Sequence, residues 1–414
     1  MKKALTGLAC FLILCLTTTS QSIYSFQGLG SLNHQGMPNN VGMGEVGIGS
    51  PTVWHVNTLN PANLVFNTFS TFQVGVELDT RNFSAENGLS GSDTDGGLRF
   101  LGYAFPIIPG KWSSSFGVLP LSSVSYNTFS TGNVAGTDDV TQVSDNRGEG
   151  GLTNLYWANG FSIKKKLNLG VRATYTFGSI EKESTISIGG ADVPVSNISY
   201  RDQESYSDIN FLFGLGYRYI LSEDRYLNFG LTYSPKSQLN GTSELELVRL
   251  SNAGGELESQ EVSTSDITQK LPQTLGFGLS YQKPSHYTIG FDIEVQQWSN
   301  VGSATEPYNN LSKIAFGATW IPDYDNVSSY LKRTKYSIGF NRTRLPYIVN
   351  DQALTDFGIN FGATLPVSGF SSIDLAFKWG QLGEISNGLI KENYFKIVLG
   401  ATINDRWFIK RRYD

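Results

Sequence analysis

Few residues in this 414-residue chain are of types that could hold a metal or attack a substrate. The three histidines, His34, His55 and His286, are scattered and lack metal-ligand spacing. No Gly-x-Ser-x-Gly sequence marks a nucleophile elbow. The segment Asp93-Thr94-Asp95-Gly96 begins like a calcium loop but lacks the later acidic ligands, which favours an ordinary polar loop. The sequence therefore predicts no metal, no cofactor and no enzyme.

The N-terminus is predicted to be a targeting signal. A basic start is followed by the apolar stretch 4–16, which is too short to span a bilayer, and then by small polar residues. We therefore expect residues 1–20 to be a signal peptide, which also contains both cysteines, Cys10 and Cys15. Lipid modification is the alternative for either cysteine, but Leu14 stands before Cys15, where a small residue is needed, and Cys10 would leave too short an apolar core.

The composition is typical of a β-protein. Charged residues make up only 16% of the chain, whereas 45 residues are glycine and 13% are aromatic. A net charge of -5 excludes a strongly basic nucleic-acid binder. The mean hydropathy of -0.17 is compatible with a transmembrane β-barrel, because lipid-facing and lumen-facing residues alternate along each strand.

Period-two alternation of apolar and polar residues recurs after residue 69. It is clearest over 167–177 and 287–295. An even number of strands about a dozen residues long suits a closed antiparallel barrel better than a soluble β-sandwich, whose strands are shorter. We therefore predict an all-β fold, a transmembrane antiparallel barrel within residues 70–414. The fourteen predicted strands are 70–81, 97–107, 112–126, 149–163, 166–182, 200–221, 225–240, 265–283, 286–299, 311–321, 332–342, 352–365, 370–380 and 393–408.

The predicted connections alternate in length. Those after even-numbered strands are mostly tight, whereas 127–147, 184–199 and 241–264 are long and are predicted to be loops. Outer-membrane barrels have short periplasmic turns and long extracellular loops, which would place both termini in the periplasm.

Residues 21–69 carry no strand pattern and are predicted to form a hatch, or plug. Asn60-Pro61-Ala62 reads as a helix N-cap followed by proline at the first helical position. The G-x-G-x-x-G sequence over 42–47 lacks a surrounding strand–helix unit, so tight glycine packing is expected there rather than a nucleotide. Many barrel glycines share the lumen-facing parity, which indicates either relief of crowding or a lumen filled by other chain or ligand. The inward charges, including Glu77, Arg172 and Lys378, are of both signs, as in paired lumen charges.

The third predicted strand contains a breaker. Gly117 and Pro120 both lie within it, and proline cannot donate a ladder hydrogen bond. We expect a kink there, unless Pro120 lies beyond the bilayer.

Together these features resemble the FadL-type family of outer-membrane transporters for long-chain fatty acids and other hydrophobic molecules. The resemblance implies a lumen filled by the hatch, with Asn60, Pro61 and Ala62 against a kink that opens the barrel wall, and Gly117 and Pro120 are the candidates for that kink. A hydrophobic ligand would then leave sideways into the bilayer. The chain is somewhat short for a fatty-acid transporter, and no ligand-pocket residue can be assigned. The tail after Phe408 looks like that of Bacteroidetes barrels, a group that also uses a FadL-like barrel in secretion.

Three functions follow as hypotheses. The first is passive uptake of fatty-acid-like or aromatic compounds, with outer-membrane lipids as surroundings. The second is a structural or adaptor subunit of an outer-membrane secretion or assembly complex, which would need a protein partner. A general polar porin is the third, and the predicted plug argues against it.

Overall fold

A computed structural model describes residues 22–406, apart from 135, 137–139, 165, 191, 192, 252, 253, 303–306, 368 and 387. The predicted signal peptide and the tail after residue 406 lie outside the described residues. Within the described part of the chain, no helix has the length and apolar character needed to cross a membrane.

Fourteen antiparallel strands form a closed transmembrane barrel, as predicted. The ladder between the last strand and the first closes it, from Asp405 opposite Ser70 to Lys391 opposite Ser84. Each of the other strands pairs with the next barrel strand along the chain. The barrel strands are β2 (Ser70–Ser84), β3 (Ser90–Ile108), β4 (Trp112–Asn133), β5 (Val140–Ile163), β6 (Leu167–Gly190), β7 (Val193–Ser222), β8 (Arg225–Ser234), β11 (Thr274–Lys283), β12 (Tyr287–Gln296), β13 (Leu311–Trp320), β14 (Lys335–Val349), β15 (Gln352–Pro366), β16 (Ser372–Leu382) and β17 (Lys391–Asp405).

The outward face of the barrel is apolar over a limited band. On β7 the exposed alternate residues from Ile209 to Tyr219 are all apolar or aromatic, whereas Ser205 and Ser207 continue the same face as polar residues. Successive residues of a strand point to opposite faces, so the polar side chains and glycines at alternate positions point into the barrel and the apolar side chains contact lipid. The alternation in the sequence therefore arises because lipid contacts one face of each strand and the barrel lumen lies on the other.

The predicted long loops are wrong, because the strands continue through them. Residues 140–148 extend β5, 183–190 extend β6, and 193–199 extend β7, which reaches 30 residues. A bilayer needs only about 9–11 tilted residues. We call the part beyond the apolar band the β-wall; it consists of residues 122–133, 140–151, 178–190, 193–208, 237–250 and 256–271.

Two further strands complete the β-wall. β9 (Ser237–Leu250) and β10 (Glu256–Leu271) form a hairpin, and β9 also pairs with the upper part of β7. The predicted strand 225–240 is thus two segments, β8 and β9, interrupted at Pro235. The predicted strand 265–283 is likewise split into β10 and β11 at Pro272. Proline cannot donate a ladder hydrogen bond, which explains both interruptions.

The segment 22–69 lies inside the barrel and contains only short elements. These are 3-10 helices at Ile23–Phe26 and Pro61–Phe66, the two-residue strand β1 (Ser31–Leu32) and the short helix α1 (Pro38–Gly42). Outside the plug, a 3-10 turn lies at Trp298–Asn300 between β12 and β13, and the short helix α2 lies at Tyr330–Arg333 between β13 and β14.

Inward glycines make room for the plug backbone. A Cβ at Gly317 would meet the Met43 carbonyl, one at Gly339 would meet Gly44, and one at Gly278 would meet Gly49. Of the two explanations for these glycines, the filled lumen is therefore the correct one at these positions. Within 42–47, Gly42 and Gly44 pack closely against the barrel, whereas Gly47 packs against Leu59 and Asn40 of the plug itself.

Candidate functional site

Asn60-Pro61-Ala62 lies at the centre of the plug. The Asn60 side chain accepts a hydrogen bond from the Ala62 N–H at 3.0 Å, the N-cap bond expected from the sequence. Its amide also donates to the Ile48 carbonyl at 2.9 Å and to that of Leu215 on β7 at 3.2 Å. The turn packs on inward glycines of β5, β6 and β7, so its closest contacts are not with Pro120.

A gap in the barrel wall begins where the third strand carries its breaker. The β3–β4 ladder ends at Leu101 opposite Val118, although both strands continue. Above that point β3 pairs only with β2 and β4 pairs with β5, whose register shifts just after Pro120. Gly117 is the second-last residue of β4 to pair with β3.

The plug strand β1 occupies the edge that this gap exposes. Ser31 and Leu32 pair with Ser123 and Ser122 of β4. The Gln35 amide extends the contact by donating to the Pro120 carbonyl at 2.9 Å. The plug thus satisfies backbone groups of β4 that β3 leaves free.

A cavity of about 340 Å³ lies between the plug and the barrel wall. One side is apolar, and Leu29, Leu121 and Leu271 line it. These leucines belong to an apolar cluster whose other members are Val124, Tyr126, Leu152, Ile180, Tyr206, Leu239 and Ile267. The cavity volume falls within the range of sites that bind small organic ligands.

The other side of the cavity is a network of ion pairs between plug and barrel. Glu45 of the plug lies 2.6 Å from the Lys313 ammonium and 3.0 Å from that of Lys378. Lys378 also lies 3.1 Å from Asp356. Buried charges are tolerated when they are paired in this way, so the network fixes the middle of the plug. The remaining pairs join Arg81 to Asp79 and Glu392, Lys396 to Glu77 and Asp79, and Arg99 to Glu77.

The electrostatics of the plug follow from these neighbours. Burial raises the pKa of the Glu45 carboxyl, but the ammonium groups of Lys313 and Lys378 outweigh it and hold that pKa well below its usual range. Burial and the Lys313 ammonium lower the pKa of His34 well below its usual value. His34 is therefore neutral at pH 7, and its Nδ1 accepts a hydrogen bond from Lys313 at 2.9 Å.

Arg172 differs from the other cations that line the cavity. Its guanidinium donates to the Thr58 carbonyl at 2.7 Å, and no carboxylate in the described residues lies within ion-pair distance. Its Nε has no hydrogen-bond partner there either. A guanidinium without a carboxylate can receive an anionic group from a ligand.

The structure brings together some of the inward charges that the sequence indicated. Glu77 and Lys378 are paired as expected, whereas Arg172 is not. Sequence reasoning missed Glu45 and Leu29, because the plug has no strand period that would show which way a side chain points. The one signal in the sequence was that a charged residue, Glu45, stands within the Gly-rich run 42–47, where close packing was expected.

Asp93 to Gly96 lie in strand β3 and not in a loop as predicted. In the described part of the chain no group of acidic, histidine or cysteine residues could hold a metal ion.

Comparison with known proteins gives one family and a set of similar structures. A family model described as BamG matches residues 1–414. No curated protein matches the chain. Among solved structures, the chain is similar to the CymD monoaromatic hydrocarbon channel, with 15% identity, coverage of 91% of this chain and 99% of that chain, and a TM-score of 0.60.

Two further solved structures are similar. The toluene transporter TodX of P. putida gives 15% identity, coverage of 90% and 100%, and a TM-score of 0.59. A FadL homologue of Pseudomonas aeruginosa gives 14% identity, coverage of 90% and 99%, and a TM-score of 0.59. At these identities the likeness shows a shared fold, and the fold is that of FadL-type barrels.

Proposed function

The chain belongs to the BamG family, and from its FadL-type fold and its lumen we propose that it is an outer-membrane channel for passive uptake of hydrophobic small molecules. The carrying observation is the cavity, whose lining includes Leu29, Leu121 and Leu271 as well as Arg172. Such a lining fits an amphiphile with one anionic end, such as a long-chain fatty acid. An aromatic hydrocarbon would use the apolar side alone. The role requires no catalysis.

The proposed exit is the gap between β3 and β4. Gly117 and Pro120 lie where that ladder stops, and β1 of the plug covers the exposed edge. Asn60, Pro61 and Ala62 anchor the plug so that only its N-terminal part needs to move. Transfer of apolar surface out of water supplies about 25 cal/mol per Å², so no energy-coupling element is required.

The orientation is part of the proposal. Tight turns such as Ser222–Arg225 lie at the opposite end of the barrel from the β-wall. We place the tight turns and both termini in the periplasm and the β-wall outside the cell, as in other outer-membrane barrels.

Mass spectrometry of small molecules released from the detergent-purified protein tests the uptake proposal. We expect enrichment of one hydrophobic class. Arg172→Met should lower the affinity for a fluorescent fatty acid at least tenfold but leave that for an uncharged aromatic probe unchanged, because a charged hydrogen bond is worth about 1.5–3 kcal/mol. A Gly117→Val, Pro120→Ala variant should slow uptake into cells without abolishing binding.

An empty barrel without saturable binding of either probe would contradict the uptake proposal. High ion conductance in a planar bilayer would instead favour the general porin.

A second candidate function is a structural subunit of an outer-membrane secretion or assembly complex. The β-wall favours it, since on β7 alone 16 residues continue beyond the apolar band, about 50 Å along the strand. Crossing the bilayer does not require this extension. Affinity purification after cross-linking in cells should recover a protein partner in a fixed ratio, and deletion of 241–266 should release it while the barrel still folds.

A further inference from the structure

The β10 strand is an exposed edge of the β-wall. β10 pairs with β9 along its length, from Leu271 opposite Ser237 to Glu256 opposite Leu250. On its other side no residue-by-residue ladder forms within the described part of the chain, because β11 pairs with β8 and β12. Residues 256–266 are exposed at every position, so solvent reaches both faces of the strand. Such an edge is a template for another strand.

Charge is concentrated in the β-wall. Its six segments contain thirteen acidic and five basic residues, a net charge of -8, whereas the whole chain carries -5. The rest of the chain is therefore net positive. An acidic surface attracts basic partners and repels both a second copy of itself and an anionic lipid surface.

The strand register arranges these charges in a row across the outer face. Arg147 of β5 stands opposite Glu183 of β6, which stands opposite Arg201 of β7. Arg201 in turn stands opposite Glu246 of β9. Signs alternate along this row, and Arg201 lies 3.7 Å from Glu183 and 3.6 Å from Glu246. Opposite charges in directly facing positions stabilise neighbouring strands.

The alternation breaks at the last strand. Glu261 of β10 stands directly opposite Glu246, so two carboxylates face each other at the edge. Like charges in this position are destabilising. Arg201 pairs with Glu246, Glu183 and Glu181, and Glu261 forms no ion pair within the described residues.

Two further acids of β10 also lack an ion-pair partner, whereas Glu258, on the opposite face, stands directly opposite Arg249. Glu256 and Asp266 share the face of Glu261, and neither forms an ion pair within the described residues. The edge strand therefore presents a line of carboxylates beside free backbone groups. A neighbouring strand with positively charged side chains would pair with both the backbone groups and the carboxylates of β10.

We propose that the free edge of β10 binds an extended, basic segment of a partner protein by strand addition. The partner's backbone continues the sheet, and its Lys or Arg residues at alternate positions face Glu256, Glu261 and Asp266. Backbone hydrogen bonds supply the geometry, and the acidic row selects the basic sequence. This inference rests on the second candidate function, and it does not involve the cavity.

Synthetic ten-residue peptides test the proposal on the purified full-length protein in nanodiscs. One fluorescent peptide has Lys at every second position between Thr and Val, and its counterpart has Glu instead of Lys. We expect saturable binding of the Lys peptide in fluorescence anisotropy and none of the Glu peptide. Glu261→Lys should weaken binding at least tenfold, whereas Glu223→Lys, in an exposed turn at the other end of the barrel, should change it less than twofold.

Binding of two N-methylated versions of the Lys peptide to the unaltered protein distinguishes strand addition from simple charge attraction. In a strand, successive N–H groups point to opposite edges. Methylation of one alternate set removes every donor to β10, and methylation of the other set removes none. We expect the two peptides to differ in affinity at least tenfold.

Equal binding of both methylated peptides, or equal weakening by Glu261→Lys and Glu223→Lys, would overturn the proposal. The proposal would also fail if the purified protein formed dimers that the Glu261→Lys substitution dissociates. In that case a second copy of the chain, and not a basic partner, would occupy the β10 edge. If the Lys peptide fails while the cross-linked partner remains bound to the Glu261→Lys protein, the docking site is wrong but the subunit function stands.

Discussion

Replacement of Glu45 by glutamine tests how the plug is held inside the barrel. The carboxylate lies 2.6 Å from the Lys313 ammonium and 3.0 Å from that of Lys378. Removal of one partner of a buried ion pair costs about 3–5 kcal/mol, because the other charge stays buried. We expect a cost at the lower end of this range, because Lys378 retains a second ion-pair partner, Asp356, at 3.1 Å. We expect a loss of about 3 kcal/mol, on the order of a hundredfold in the plug-docking equilibrium.

The labelling rate of a buried cysteine with a maleimide reagent measures that equilibrium. Both native cysteines lie in the predicted signal peptide, so Val46→Cys supplies a single thiol at a fully buried position of the plug. In this background Glu45→Gln should raise the labelling rate on the order of a hundredfold. Glu223→Gln, which removes an exposed carboxylate without an ion pair in the described structure, should label at the parent rate.

A second substitution tests the cause. Lys313→Met added to Glu45→Gln removes the charge that was left without its carboxylate and should restore part of the lost protection, because replacement of both members of a buried pair is often close to neutral. An unchanged labelling rate in the single variant, with the barrel folded by its mobility in unheated gels, would refute the reasoning. So would a double variant that labels faster than the single one.

Three further outcomes are expected. Gly317→Ala places a Cβ against the plug backbone and should lower the free energy of unfolding by about 1–3 kcal/mol in a urea titration, whereas Gly97→Ala, with open space around it, should not. Asp374→Asn replaces the carboxylate that His55 meets at 3.1 Å by a neutral amide and should cost about 1–3 kcal/mol in the same assay. Glu392→Gln weakens the contact with the first described plug residues and should speed their proteolysis while the barrel stays intact.

The transmembrane part of the fold could be predicted from the sequence because lipid lies on one side of each strand. Residues 167–177 alternate in a way that only a two-sided environment requires. The outer parts of the β-wall could not be predicted, and 256–264 shows why: every residue there is exposed, so water lies on both faces and no apolar period remains. Serine, threonine and glutamate at those positions look like a loop in the sequence and form a strand in the structure.

The site divides in the same way. The N-cap of Asn60 is a local interaction between neighbouring residues, and the sequence predicted it correctly. Glu45 meets Lys378 across 333 positions of the chain, and local sequence carries no signal for that contact. Parity showed that Lys378 points inward but not which carboxylate it meets, because the plug has no period of its own.

The tight fit of glycine backbones against the plug constrains the order of assembly. Gly44 reaches Gly339, and Gly49 reaches Gly278, without room for a side chain between them. So close a fit forms most easily when the strands gather around the plug before the ladder between β2 and β17 joins the two ends of the barrel sequence. We therefore expect the plug to dock before that last ladder forms.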